Sequence, residues 1–270
     1  MIRSTLVSAV VVSWALACLV ACEEKAPSNL APTASALTSA TPAAAEAVPL
    51  GVDSAGSSVK FLMDSPLEKI DGDAPGSVTG ELFVVPRDLT KSTGLIKFDL
   101  DKLTLYQQKR AEEQGDYSER KKNDVQNKHA RDWLQIVPHE GEVTPQQAEM
   151  NRWVEFKLEK LETATPDVAG MSGAERKVTA TVSGDFRLHG RKAKKSAKLE
   201  LAFKYAGDKL ESVAVKSVEP IPVSLEEFEV HPRDAAGKLT KTVTEVIATN
   251  LKGKLRNEAP IVLEFSAKAK

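Results

Sequence analysis

Few residues in this chain are equipped for chemistry, and their spacing narrows what they can do. The only two cysteines are Cys18 and Cys22, near the N-terminus. The body of the chain therefore has no thiol nucleophile and no thiolate metal ligand. The four histidines, His129, His139, His189 and His231, lack the short spacing of a metal site. There is no Gly-x-Ser-x-Gly, no His-Glu-x-x-His and no phosphate-binding glycine loop. No enzyme activity, metal or cofactor is expected. Arg191, Lys192, Lys194 and Lys195 form a basic cluster. It can be read as a contact for phosphate head groups or as a solvated hairpin tip.

Cys22 carries the clearest chemical signal. Arg3 is the only charge in the first 21 residues, and Thr5 to Ala21 is mostly Val, Leu and Ala. That is a charged n-region followed by an apolar h-region, the pattern of a secretory signal. The run is shorter than the roughly 20 apolar residues of a membrane span. It ends in Leu19-Val20-Ala21-Cys22 followed by Glu23-Glu24. This resembles the bacterial lipobox, in which the Cys becomes the acylated first residue of the mature chain. Cys18 is the poorer candidate, since Ala15 rather than Leu lies three residues before it. Residues 1–21 are thus expected to be a signal peptide, with Cys22 lipidated and the chain held at a membrane of the bacterial envelope, facing the periplasm.

The remaining composition sets the class of the protein. Loss of Arg3 leaves 36 basic against 38 acidic side chains, with no basic stripe of the kind that marks nucleic-acid binding. Residues 22–56 are rich in Ala, Pro, Ser and Thr and poor in large apolar groups. Such a segment buries too little surface to offset its ordering entropy, so a disordered tether is expected there. Residues 57–270 are left for one folded domain.

Period-two alternation dominates that domain, the mark of strands with one buried face. Val178, Ala180, Val182, Gly184, Phe186 and Leu188 alternate with polar residues. After a basic turn, Ala197, Leu199, Leu201, Phe203 and Tyr205 do the same. The two runs predict a long hairpin. Shorter runs place Ile96, Phe98 and Leu100, then Val154, Phe156 and Leu158, then Ile261, Leu263, Phe265 and Ala267, on single faces. Val59 to Met63, Val78 to Val85, Lys209 to Val218 and Pro222 to Val230 complete eight or nine strands. Long antiparallel strands of this number suit a closed barrel. The inward residues Phe98, Phe156, Phe186, Phe203 and Phe265 can either line a cavity or fill it as ordinary core.

Two segments break the alternation. From Glu119 to Gln135, Val125, His129 and Trp133 recur every four residues, as on one face of a helix. From Ala236 to Leu251, Leu239, Val243, Val246 and Asn250 share a face. His129 could be a packed, hydrogen-bonded core residue or a polar group at a barrel mouth. His189, following Leu188 at the hairpin tip, is expected to face solvent.

The order of these features resembles the YceI-like family of bacterial periplasmic lipid-binding proteins. The carriers of the resemblance are Val59-Lys60-Phe61, then Phe98-Asp99-Leu100-Asp101-Lys102-Leu103-Thr104. They continue with Asn123-Asp124-Val125-Gln126-Asn127-Lys128-His129, Phe156-Lys157-Leu158, and Gly184-Asp185-Phe186-Arg187-Leu188-His189-Gly190 leading to Lys194-Lys195. The likeness spans about residues 57 to 268. The chain departs from the family at Asn127-Lys128, where an Arg-Asp pair is usual, and at Ala130-Arg131-Asp132-Trp133. The resemblance implies an all-β, antiparallel, lipocalin-like barrel of about eight strands with one or two helices. It also implies an interior that holds the tail of an isoprenoid-like lipid or quinone, with the helix around His129 and Trp133 at its opening. The rival expectation is a fully packed barrel that acts as a structural module or meets another envelope protein.

Overall fold

The computed structural model describes residues 30–64, 67–231 and 258–270. The signal segment 1–21, Cys22 and the expected helix 236–251 lie outside them. In chain order the strands are β1 Val48–Asp64, β2 Glu68–Pro75, β3 Val78–Val84, β4 Thr93–Asp99, β5 Thr104–Lys109 and β6 Lys121–Lys122. After helices α1 Asp124–Trp133 and α2 Pro145–Arg152 come β7 Trp153–Thr165, β8 Glu175–Leu188, β9 Arg191–Ala206, β10 Lys209–Ser217 and β11 Ile261–Ala269.

Eight strands close a barrel in the order β1–β3–β4–β7–β8–β9–β10–β11, and β11 pairs back onto β1. Every neighbouring pair is antiparallel. The expected fold class is the one observed. Strand β1 serves two partners on one side. Its first residues pair with β3 (Leu50 with Leu82), and after an irregularity between Asp53 and Ser58 its second half pairs with β2 (Phe61 with Gly72). Ser57 stabilises this switch, accepting from the Val78 N–H at 3.1 Å and donating to the Ser54 carbonyl at 2.8 Å. From there β2, β5 and β6 extend the sheet as a flap off the barrel.

The long hairpin is present as β8–β9, in register from Glu175–Lys204 to Leu188–Arg191. Its turn is the two residues His189 and Gly190, with φ of 51° and 68°. Positive φ at both positions is the type I′ turn whose twist matches the strands it joins. The basic residues Arg191 to Lys195 therefore belong to β9, not to the turn.

The helices are held by specific caps. Asn123 caps α1 by accepting from the Gln126 N–H, and Asn127 docks the helix on β5 through both backbone groups of Leu105, at 2.8 and 2.9 Å. Helix α2 begins with Pro145 after a capping box in which Thr144 and Gln147 satisfy each other's backbone N–H groups.

Three expectations are corrected. Pro222–Val230 is a loop of turns, with no backbone pairing to the sheet among the described residues beyond the isolated bridges at Ile221 and Ser224. Pro220 and Pro222 cannot donate to a ladder, which ends strand pairing there. The described part of the 22–56 tether is docked: β1 starts at Val48, Leu50 is core, and residues 30–41 lie as a strap along the barrel wall. Val125 is 62% exposed, so the inward face of α1 is Gln126, His129, Ala130 and Trp133 instead.

Gly184 sits where a Cβ would lie 2.0 Å from the Lys157 carbonyl oxygen of the neighbouring strand. Gly184→Ala must force β7 and β8 apart, and a loss of about 2–3 kcal/mol is expected in denaturant unfolding.

Candidate functional site: an apolar cavity closed by a loop

The inward positions of the barrel do not fill its interior. Two lobes of empty space remain, of about 160 Å³ and 140 Å³. A single water needs roughly 10–15 Å³ of such space. Val59, Phe98, Val154, Phe186, Val223 and Ile261 border both lobes, so the lobes share a wall. Phe98, Phe156, Phe186, Phe203 and Phe265 all line the first lobe. His129 and Trp133 line the second, with their rings stacked at 5.9 Å between centroids. The structure thus gathers the five phenylalanines around the first lobe and places His129 and Trp133 on the second.

The polar side chains on the second lobe are Gln126 and His129. The charged residues on the first, Lys97, Glu155 and Lys195, are engaged elsewhere: Lys97 pairs with Glu155 at 2.9 Å, and Lys195 with Glu227 at 2.6 Å. Among the described residues no group of three or more His, Cys, Asp or Glu is placed to hold a metal, and no helix is long and apolar enough to cross a membrane. What this space can do chemically is remove an apolar molecule from water.

The loop Ile221–Val230 covers part of both lobes, lining them with Ile221, Val223, Leu225 and Val230. Its Val223, Phe228 and Val230 are buried, and Phe228 meets Phe186 edge-on at 5.3 Å. Backbone pairing holds the loop at only a few points, so side chains do much of the work. Arg191 pairs with Glu229, Lys195 with Glu227, and His189 Nδ1 lies 3.0 Å from the Phe228 carbonyl oxygen. Burial alone would raise the Glu229 carboxyl, but Arg191 holds it below the ordinary carboxylate range.

These contacts correct two expectations. His189 is buried rather than solvent-facing, with its Nε2 2.7 Å from Gln135 Oε1. The basic cluster is neither a free phosphate contact nor a wet tip. Arg191 and Lys195 fall on the inward parity of β9 and fasten the loop, whereas Lys192 and Lys194 pair with Asp185 on the outer face.

Behind the cavity wall lies a set of buried charges that alternation does not reveal. Arg187 and Glu155 point outward from β8 and β7, yet both side chains are only 1% exposed. The strap covers them: the Leu37 N–H donates to Glu155 at 2.7 Å, and Arg187 Nε donates to the Ala34 carbonyl at 3.2 Å. Arg187 also donates to the Met150 carbonyl at the end of α2. Burial pushes its guanidinium below the ordinary arginine range, with Glu155 opposing. Nearby, Arg152 grips both oxygens of Asp99 at 2.7 Å, tying α2 to the end of β4. Strap residues read as solvated tether, so the sequence carried no sign that anything would bury positions 155 and 187.

No protein-family model matches the chain, and no curated protein does. The chain is similar in structure to a polyisoprenoid-binding domain from Saccharophagus degradans implicated in plant cell wall breakdown. The TM-score is 0.48 at 12% identity, covering 83% of this chain and 99% of that one. It is also similar to BcnA of Burkholderia cenocepacia, with a TM-score of 0.46 at 13% identity, covering 80% of this chain and 99% of that one.

The Asp99–Arg152 pair has a defined pH signature. The Arg152 hydrogen bonds hold the Asp99 carboxyl below its ordinary value of 3.8, against the effect of burial. A carboxyl lowered on folding contributes stability above its unfolded value and loses it as pH falls through the folded value. Asp99→Asn is expected to cost about 1.5 kcal/mol at pH 7. In urea melts the difference from wild type should shrink steadily below pH 4.

Proposed function

We propose that this protein sequesters an apolar, isoprenoid-like lipid or quinone inside its barrel while an acylated Cys22 keeps it at a membrane of the bacterial envelope, facing the periplasm. The observation that carries the reading is the two-lobed apolar cavity, its first lobe walled by five phenylalanines and both lobes bordered by few polar groups. A fully packed core would have favoured a purely structural or partner-binding module; the empty lobes weigh against it.

The driving force is desolvation. Burying an apolar tail is worth roughly 25 cal/mol per Å² removed from water. The tail would run past Phe156, Phe203 and Phe265 in the first lobe. A small polar head would meet Gln126 and His129 in the second. This placement agrees with what the YceI-like sequence resemblance implies. No step of bond making or breaking is required, and the proposed role is binding rather than catalysis.

The test is native mass spectrometry of the protein purified from a bacterial periplasm or membrane, followed by organic extraction. A stoichiometric isoprenoid or similar amphiphile is expected. A clean apo mass that persists after incubation with polyprenols and quinones would sink the reading. Phe186→Asp is expected to abolish retention, with circular dichroism reporting whether the barrel remains folded. Cys22→Ser should release the protein from membranes into the soluble fraction; unchanged sedimentation with membranes would remove the anchor.

A further inference from the structure

We propose that the strap, residues 30–41, is a releasable clasp that keeps the loop Ile221–Val230 shut over the cavity. The inference rests on the cavity being a binding site, as proposed above, and concerns how that site opens.

The junction of strap and loop is built from three parts. The Ala31 N–H donates to the Glu227 carbonyl at 2.8 Å. The Ala31 carbonyl accepts from Arg191 Nη1 at 2.7 Å, and the same guanidinium pairs with Glu229. One arginine of β9 thus grips strap and loop together. Further along, the Ala34 N–H donates to the Gly190 carbonyl and the Lys192 N–H to the Pro32 carbonyl, fastening the strap to the hairpin turn. The loop's own backbone pairing is slight, limited to the isolated bridges at Ile221 and Ser224, and Lys195, His189 and the buried Val223, Phe228 and Val230 supply the rest of its hold.

The strap is built to come away. Of residues 30–41 only Ala31 is buried. Its attachment therefore depends on hydrogen bonds, each of modest net worth because water replaces them on release. Docking has a cost as well. It removes Arg187 and Glu155 from water, and Arg187 Nη2 has no hydrogen-bond partner among the described residues. Release rehydrates that guanidinium and carboxylate, offsetting part of what the strap loses. A segment with little apolar burial and a charge pair beneath it opens without disturbing the barrel, and in opening it frees one side of the loop.

The test uses the full chain and two substitutions that each delete one N–H donor. Ala31→Pro removes the bond to the loop. Ala34→Pro removes only the bond to the Gly190 carbonyl of the hairpin turn and none to the loop itself. Amide hydrogen exchange read by mass spectrometry is expected to quicken at least ten-fold across residues 223–230 in both variants. Exchange in β8, and in β9 beyond Lys192, whose N–H the strap itself binds, should stay unchanged, which also shows that the barrel is folded. Dissociation of N-phenyl-1-naphthylamine, an apolar fluorescent probe, should quicken by at least five-fold in both. Unchanged loop exchange in Ala31→Pro, or in Ala34→Pro alone, overturns the clasp. If the probe binds neither wild type nor variants, the cavity reading fails, and hydrogen exchange still decides the clasp.

Discussion

The ladder between β1 and β11 is the contact on which the rest of this structure depends. An open eight-stranded antiparallel sheet would leave two rows of unpaired N–H and C=O groups and an apolar face with nothing to cover it. Joining Leu50 to Ala269 and Phe61 to Ile261 removes both edges and turns that face inward on itself. Closure also fixes the geometry of the interior. Side chains from opposite walls then meet only as far as their lengths allow, and valines, leucines and phenylalanines at these positions stop short of filling the middle. The empty lobes are thus a consequence of closing this number of strands around residues of this size. The same seam creates the flap, because β1 runs beyond its pairing with β3, and from Ser58 onward its free edge pairs with β2.

Around this closed wall the structure places its polar energy on the outside. Asp99 with Arg152, Glu155 with Arg187 and Lys97, and Asp185 with Lys192 and Lys194 all stand on outward faces of β4, β7, β8 and β9, with Lys97 and Glu155 also bordering the first lobe. Each pins a neighbouring element: helix α2, the strap, or an adjacent strand. Such pairs add modest net stability, since desolvation offsets much of the attraction. Their value is positional. They hold α2 and the hairpin in place, so that the interior can remain underpacked without the wall collapsing into it.

How much of this was legible in the sequence follows from where water lies. Period-two alternation is visible only where one face is wet and the other dry. It identified β4, β7, β9, β11 and most of β8, and with them the five phenylalanines of the first lobe. It failed at the end of β8, where Asp185 and Arg187 are as buried as Phe186 and Leu188 because the strap lies over them. It failed again at β2, whose Gly72 faces Phe61 and whose apolar side chains are few. Helix α2 left a readable mark in Thr144-Pro145-Gln146-Gln147, a capping box with proline at the first turn, though its face is too polar to show a period. The strap was the deepest omission. Composition reports the capacity to bury apolar surface, and this segment docks through backbone groups onto charged side chains instead.

The strap's docking point has a consequence for distance. Ala31 lies nine residues beyond Cys22, and Val48 lies 26 beyond it. An extended chain covers at most about 3.5 Å per residue. Were Cys22 acylated as proposed, a docked strap would confine the strap-bound end of the barrel to within about 30 Å of the lipid anchor. A freed strap would lengthen that leash to about 90 Å at the start of β1. Opening the cavity and gaining reach would then be one event, by which a loaded barrel would stay beside the bilayer and an open one would range farther from it.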